Sequence, residues 1–179
     1  MKPIKGYNEA ETLGEFEKLA PGGYVIRIQA VQDNDEKQYL KIVYDIAEGP
    51  QANRYLNETA ENDYRHSFIR SYKTSALGMF KAFIKAVDAA NGTDFNSRIE
   101  KGFPEQELVG KLLGVLFGYE EYNANDGSVK ERLRLVRFLN IEQARAGDWK
   151  IPELKKLKVE DAPTIPAGFT ALADSDLPF

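Results

Sequence analysis

Apolar and polar residues alternate in the clearest stretches of the chain. Pro21-Gly22-Gly23 is followed by Tyr24 to Val31, where Ile26 and Ile28 alternate with Arg27 and Gln29, a first strand. After the polar patch Asp33-Asn34-Asp35-Glu36-Lys37, Gln38 to Ile46 places Leu40, Ile42, Tyr44 and Ile46 on one face and Tyr39, Lys41, Val43 and Asp45 on the other. The two strands read as a long hairpin. Its loop carries Asp33 and Asp35 but has Lys37 at the fifth position and Gln38 where a calcium loop needs glycine, so it is a solvated turn.

Gly49-Pro50 ends the second strand, and a polar excursion carrying Arg54 and Tyr55 leads to a third strand over Tyr64 to Tyr72. The period then changes to a helical one. Leu77, Phe80, Ile84 and Val87 repeat at 3-4-3 spacing, Thr74 or Ser75 can cap the start, and Asn91-Gly92 supplies a left-handed stop. Leu108 to Tyr119 is ambiguous by period alone, but Gly110, Gly114 and Gly118 would each cost about 1 kcal/mol inside a helix, whereas glycine bends a barrel strand. Asn125-Asp126-Gly127-Ser128 turns the chain into a fifth strand from Val129 to Leu139.

Three strands, one helix and two strands is the order of the OB-fold, a five-stranded Greek-key barrel plugged by a helix between strands three and four. The expected organisation is an N-terminal extension over 1–20 with a short turn at Gly14 to Ala20, a mainly β OB barrel over 21–140, a peripheral basic segment over 141–158 with Lys150, Lys155, Lys156 and Lys158 exposed, and a flexible linker with an acidic tail over 159–179.

Composition narrows the chemistry. The 179 residues include no cysteine and one histidine, His66, so thiolate nucleophiles, Cys-ligated metals and paired-histidine or Ser/His/Asp constellations are not available. No carboxylate pair has a spacing that marks a site, and the expectation is a non-enzyme with no cofactor, no metal and no catalytic residue. No window is long and apolar enough to span a bilayer and the opening residues lack a secretion signal, so a cytoplasmic protein is expected.

The chain has 24 Lys and Arg against 28 Asp and Glu, and Glu160, Asp161, Asp174 and Asp176 lie in the last 21 residues, which hold no Lys or Arg. The body is therefore neutral, 24 against 24, and the tail carries the surplus. Within the body, Tyr64 to Val87 holds Arg65, Arg70, Lys73, Lys81 and Lys85 with no acid, and Lys130 to Phe138 sets four cations against Glu131 alone. Such asymmetry suits an anionic ligand, although no uniformly basic footprint is present.

The terminus Asp174-Ser175-Asp176-Leu177-Pro178-Phe179 closely resembles the tail of bacterial single-stranded DNA-binding proteins, which end in several aspartates followed by Ile-Pro-Phe. Ser175 stands for a central aspartate and Leu177 for the isoleucine. The resemblance implies a docking peptide for replication and repair enzymes, formed by Asp174, Asp176, Leu177, Pro178 and Phe179. Its physical logic is an aromatic anchor beside the chain-terminal carboxylate, a proline that limits ordering cost, and aspartates that steer toward a basic rim.

The body resembles a family of small proteins encoded in the replication and recombination modules of phages infecting mainly Gram-positive bacteria, several of them taken to be single-stranded DNA-binding proteins. The resemblance lies in Pro21-Gly22-Gly23-Tyr24, Tyr39-Leu40-Lys41, Tyr44-Asp45-Ile46, Glu48-Gly49-Pro50, Phe80-Lys81-Ala82-Phe83, Leu108-Val109-Gly110-Lys111 and Glu120-Glu121-Tyr122, spread over about Leu19 to Phe138. It implies a phage or prophage origin and the cytoplasm of a bacterial host.

Sequence-independent binders of single strands line a groove with cations and stack bases on aromatics. The residues that fit are Tyr39, Lys41, Arg54, Tyr64, Arg65, Arg70, Tyr72, Lys73, Arg132, Arg134 and Arg137. His66 is not among the expected contacts, and Glu120-Glu121 and the loop Asp33 to Lys37 do not suit a phosphate path. The other reading is an OB-fold adaptor that binds proteins and touches DNA weakly. A homo-oligomer is compatible with both readings.

Overall fold

The computed structural model describes residues 18–58 and 60–157. Five antiparallel strands form one sheet: β1 (Gly22–Asn34), β2 (Tyr39–Ile46), β3 (Ser67–Ser71), β4 (Leu112–Asn123) and β5 (Val129–Leu139), in the order β3-β2-β1-β4-β5. Helix α1 (Leu77–Asn91) lies between β3 and β4 in the chain, followed by the single turn α2 (Phe95–Arg98), and α3 (Ile141–Ala146) follows β5. The closed barrel expected from the element order is not formed by backbone pairing, because the edges β3 and β5 share no ladder.

Strand β1 is long enough to serve two neighbours. Gly22–Arg27 pairs with Leu112–Phe117 of β4, Ile26–Asn34 pairs with β2, and a bulge between Ile28 and Ala30 turns one course into the other. The core holds Ile26, Ile28, Ile42, Ile46, Leu113, Val115 and Phe117 from the sheet and Phe83, Ile84 and Val87 from α1, all nearly or fully inaccessible. Phe80, Ile84 and Val87 of the helical stripe read from the sequence, joined by Phe83, are thus the face of α1 that closes the core, whereas Leu77 at its first position is 49% exposed.

Several boundaries moved. Residues Ala60–His66 form a 3-10 helix, so the third strand begins at Ser67 and not at Tyr64. Thr74 and Ser75 lie in another 3-10 turn and do not cap α1, whose N-cap is Ala76 without a side-chain hydrogen bond. Gly92 does stop the helix, at φ 63°, and Asn91 clamps that end to β4 by donating to Leu112 O at 2.9 Å and accepting from Leu112 N at 2.9 Å. Gly110, at φ 82°, turns the chain into β4, which starts four residues later than expected.

The segment after β5 is docked on the sheet. Trp149 lies over the glycine pair at the start of β1, where a Cβ on Gly22 would come within 2.9 Å of its ring. Pro152 covers Gly118, and Lys155 pairs with the β4 edge beyond β1, accepting from Glu121 N at 3.0 Å and donating to Tyr119 O at 3.1 Å. Lys150, Lys155 and Lys156 are exposed as expected. Of the N-terminal turn only Lys18–Ala20 is described, with Leu19 in the core; Lys158, the linker and Asp174–Phe179 lie outside the described residues. No helix among the described residues is long and apolar enough to cross a membrane.

Candidate nucleic-acid interface

Register fixes which side chains share a face, because paired residues project to the same side of a sheet. On the outer side of β1–β2–β3 one row is Gln32, Lys41 and Ile69, and the next is Asn34, Tyr39 and Ser71. Tyr39 is half-buried there, its Oη accepting from Asn34 Nδ2 at 3.5 Å, while Ile69 is 54% exposed. The 3-10 helix Ala60–His66 borders this face. Asp63 takes Lys41 Nζ on both carboxylate oxygens, at 2.6 and 2.7 Å. Tyr64 is 66% exposed, with the Arg65 guanidinium 5.7 Å from its ring centre and Arg65 Nη1 3.5 Å from Glu58. Tyr39, Lys41, Tyr64 and Arg65 are therefore brought together, with two carboxylates tethering the two cations.

Arg70 and Tyr72 are placed differently from the other expected contacts. Arg70 pairs with Leu40 and Phe68 with Ile42, so both point to the core side of β3. The Arg70 guanidinium sits 4.9 Å from the Phe68 ring and 5.1 Å from that of Phe138 on β5, filling the gap between the two sheet edges. Its Nη1 donates to Ile69 O at 2.9 Å, while its Nε is buried without a partner. Tyr72 packs edge-on against Phe80 and donates its hydroxyl to Asp33 at 2.9 Å; desolvation, with Asp33 beside it, pushes the phenol pKa up to about 12. Lys73, just beyond β3, is exposed. Arg54 is half-buried away from this face, donating to Gln51 beside Tyr24 and Tyr55.

A second group lies on the outer side of the β4–β5 hairpin, where Gly118 pairs with Arg134, Glu120 with Arg132 and Tyr122 with Lys130. Arg132 donates to Glu120 at 2.9 Å and lies over the Tyr122 ring at 5.2 Å, while Arg134 and Lys155 approach the same carboxylate at 3.7 and 3.5 Å. Burial pushes the Glu120 pKa up and the three cations pull it further down, so the net shift is downward and the cluster keeps a surplus of two positive charges. Arg137 is exposed and has no ion pair among the described residues. Glu120, which the sequence reading kept off any phosphate path, is at the centre of this cationic surface. No group of His, Cys, Asp and Glu among the described residues is arranged to hold a metal.

Sequence reasoning missed Ile69, because a β-branched residue inside a strand reads as core, and it missed the carboxylates Asp63 and Glu120, whose partners are 22 and 12 residues away. A search of curated proteins returns no match. A family model described as "Protein of unknown function (DUF669)" matches residues 6–146, which takes in all five strands and both cationic surfaces apart from Lys155. The chain belongs to the DUF669 family.

Proposed function

We propose that this protein is a non-enzymatic, OB-like barrel, parted along one seam, that binds single-stranded DNA without strong sequence preference and recruits replication or recombination proteins through Asp174–Phe179. The strand order β3-β2-β1-β4-β5 with a helix between β3 and β4 is that of an OB barrel cut between its third and fifth strands. The observation that carries the reading is the outer face of β2 and β3 together with the 3-10 helix that borders it: half-buried Tyr39, Lys41 and exposed Ile69 lie on the strands, and exposed Tyr64 and Arg65 lie on the helix. Bases stack on such aromatics, and Lys73 just beyond β3 and Arg132, Arg134 and Arg137 on β5 supply further cations. The resemblance to phage replication modules supports the cytoplasm of a bacterial host as the setting for this role.

Binding to labelled oligodeoxythymidine, followed by fluorescence anisotropy at several salt concentrations, tests the reading. Affinity exceeds that for duplex of equal length and falls with a log–log salt slope of about −0.7 per phosphate neutralised. Equal affinity for duplex, or binding indifferent to salt, overturns it. The exposed Leu56 and Ile69 also suit a protein partner, and the adaptor reading gains if the oligonucleotide does not bind.

The tail makes a separate prediction. Val159–Ala173 numbers 15 residues, and a flexible chain of that length would have a root-mean-square reach of about 20 Å. Deleting Asp174–Phe179 leaves single-strand affinity unchanged or modestly higher at low salt, and abolishes capture of a replication or recombination partner from host lysate. Removing Phe179 alone loses most of that capture, since it takes the anchor and moves the carboxylate onto proline. A truncated protein that captures the same partners refutes the docking role.

A further inference from the structure

Among the described residues two polar side chains are buried, Asp45 and His66, and both line one cleft of about 260 Å3. The cleft lies between the outer side of β1 and β2, represented by Gln29 and Gln32, and the excursion that joins β2 to β3, represented by Tyr55 and Leu56. Asp45 Oδ1 accepts from the backbone N–H groups of Ile46 at 2.7 Å and Tyr55 at 3.0 Å, whereas its Oδ2 has no partner. His66 Nδ1 has none either. A buried carboxylate oxygen without a donor is costly to keep, and a bound N–H group removes that cost.

The neighbouring charges are already engaged. Asp63 holds Lys41, and Glu58 holds Arg65. Arg27 faces Asp45 in the β1–β2 register without forming an ion pair with it. The cleft therefore offers two acceptors, Asp45 Oδ2 and His66 Nδ1, that none of its lining donors reaches. It also offers aromatic surface, since the His66 ring stacks on Tyr55 at 4.6 Å between centroids and 11° between planes. Desolvation holds the His66 pKa below its ordinary 6.5, so the ring is neutral at pH 7 and Nδ1 can act as an acceptor.

We propose that this cleft is a base pocket that takes one nucleobase bearing an exocyclic amino group, extruded from a single strand lying on the adjacent Lys41–Tyr64 face. The inference rests on the single-strand reading and adds to it a preference at one position. The amino N–H donates to Asp45 Oδ2, as carboxylates accept from the cytosine amino group, and the Tyr55–His66 pair contributes aromatic surface as protein rings do for splayed bases. Thymine presents a carbonyl oxygen and a methyl group at the corresponding edge and leaves Oδ2 undonated. The two orphaned atoms are closed to bulk water, so entry requires the Tyr55–Leu56 turn to swing; Leu56, 67% exposed, packs little there.

His66 is the single histidine of the chain, so its ring C–H resonances form a unique proton NMR reporter of the cleft. In the full-length protein, deoxycytidine monophosphate shifts those resonances and thymidine monophosphate does so only at several-fold higher concentration. In competition, oligodeoxycytidine displaces labelled oligodeoxythymidine at several-fold lower concentration than unlabelled oligodeoxythymidine does. Asp45→Asn keeps an oxygen for the two backbone donors and puts an NH2 group in place of Oδ2, so it erases or inverts the preference while oligodeoxythymidine still binds. Unmoved His66 resonances with both nucleotides, equal displacement by the two oligomers, or an unchanged preference in folded Asp45→Asn overturns the pocket. Should that variant not fold, the wild-type titration and competition decide. If neither oligomer binds, the single-strand reading falls, and the His66 resonances still report whether the cleft takes the base.

Discussion

Replacing Gly114 with alanine destabilises the fold by about 3 kcal/mol, the upper end of what overpacking costs. A Cβ at this position would lie 2.5 Å from Leu139 O and 3.0 Å from Asn140 O, both backbone atoms. The first belongs to the residue paired with Gly114 across β4 and β5; the second accepts from Ala144 N at 3.0 Å in the first turn of α3. Asn140 also holds that turn by a capping box with Gln143. Neither carbonyl can retreat without loosening both the end of the ladder and the start of the helix. Chemical denaturation of the variant shows a lower midpoint with an unchanged slope. Gly78→Ala is the matching control: nothing lies within 4 Å of its Cβ position in α1, and alanine there gains about 0.5–1 kcal/mol of helix preference. A Gly114→Ala protein as stable as the wild type shows that β5 does not approach β4 as described.

Tyr64→Ala weakens binding to oligodeoxythymidine by about 1–3 kcal/mol, the contribution of one base stacked on an aromatic ring, and leaves the melting temperature nearly unchanged, because the ring is 66% exposed. Tyr72→Ala does the reverse. It removes an edge-on ring contact with Phe80 and the hydrogen bond to Asp33, so the helix loses part of its seat against β3 and the melting temperature falls. Anisotropy and thermal melting on the two variants separate these roles. If Tyr64→Ala binds as the wild type while folded Tyr72→Ala does not, the strand runs along the β3–β5 seam and not over the outer face.

What the sequence disclosed was local. Alternation over Tyr24–Val31 and Leu40–Ile46, the 3-4-3 stripe of Leu77–Val87, the Gly92 stop and the Asn125–Ser128 turn each depend on neighbours within a few residues, and each element exists. Alternation misled where distant chain covers a strand. Val43 and Asp45 fall on the outer face by period and are buried, because Tyr55 and the rest of the excursion after β2 pack over them. Tyr64, Arg65 and His66 have the composition of a strand yet wind into a 3-10 turn, which puts Asp63 within reach of Lys41. Arg70 has a charge that argues for the surface, but it shares its face with Phe68 and takes the space between two phenylalanine rings. Gly114 and Gly118 were legible as strand positions rather than helical ones; what crowds them, Leu139 and Pro152, was not.

The double pairing of β1 also bears on how the chain folds. Hairpins β1–β2 and β4–β5 close over short loops, and both can form early. They are joined by one six-residue ladder, Gly22–Arg27 with Leu112–Phe117, whose partners are separated by most of the domain. Bringing them together means closing a long loop before the reward of core burial arrives, so this junction is the natural rate-limiting event. Because α1 is tied to the first residue of that ladder's β4 half by Asn91, the helix is captured in the same event. Two locally assembled halves thus become one cooperative unit along the middle of the sheet, and the β3–β5 seam is left as the line along which the finished molecule can part without breaking a backbone hydrogen bond between its strands.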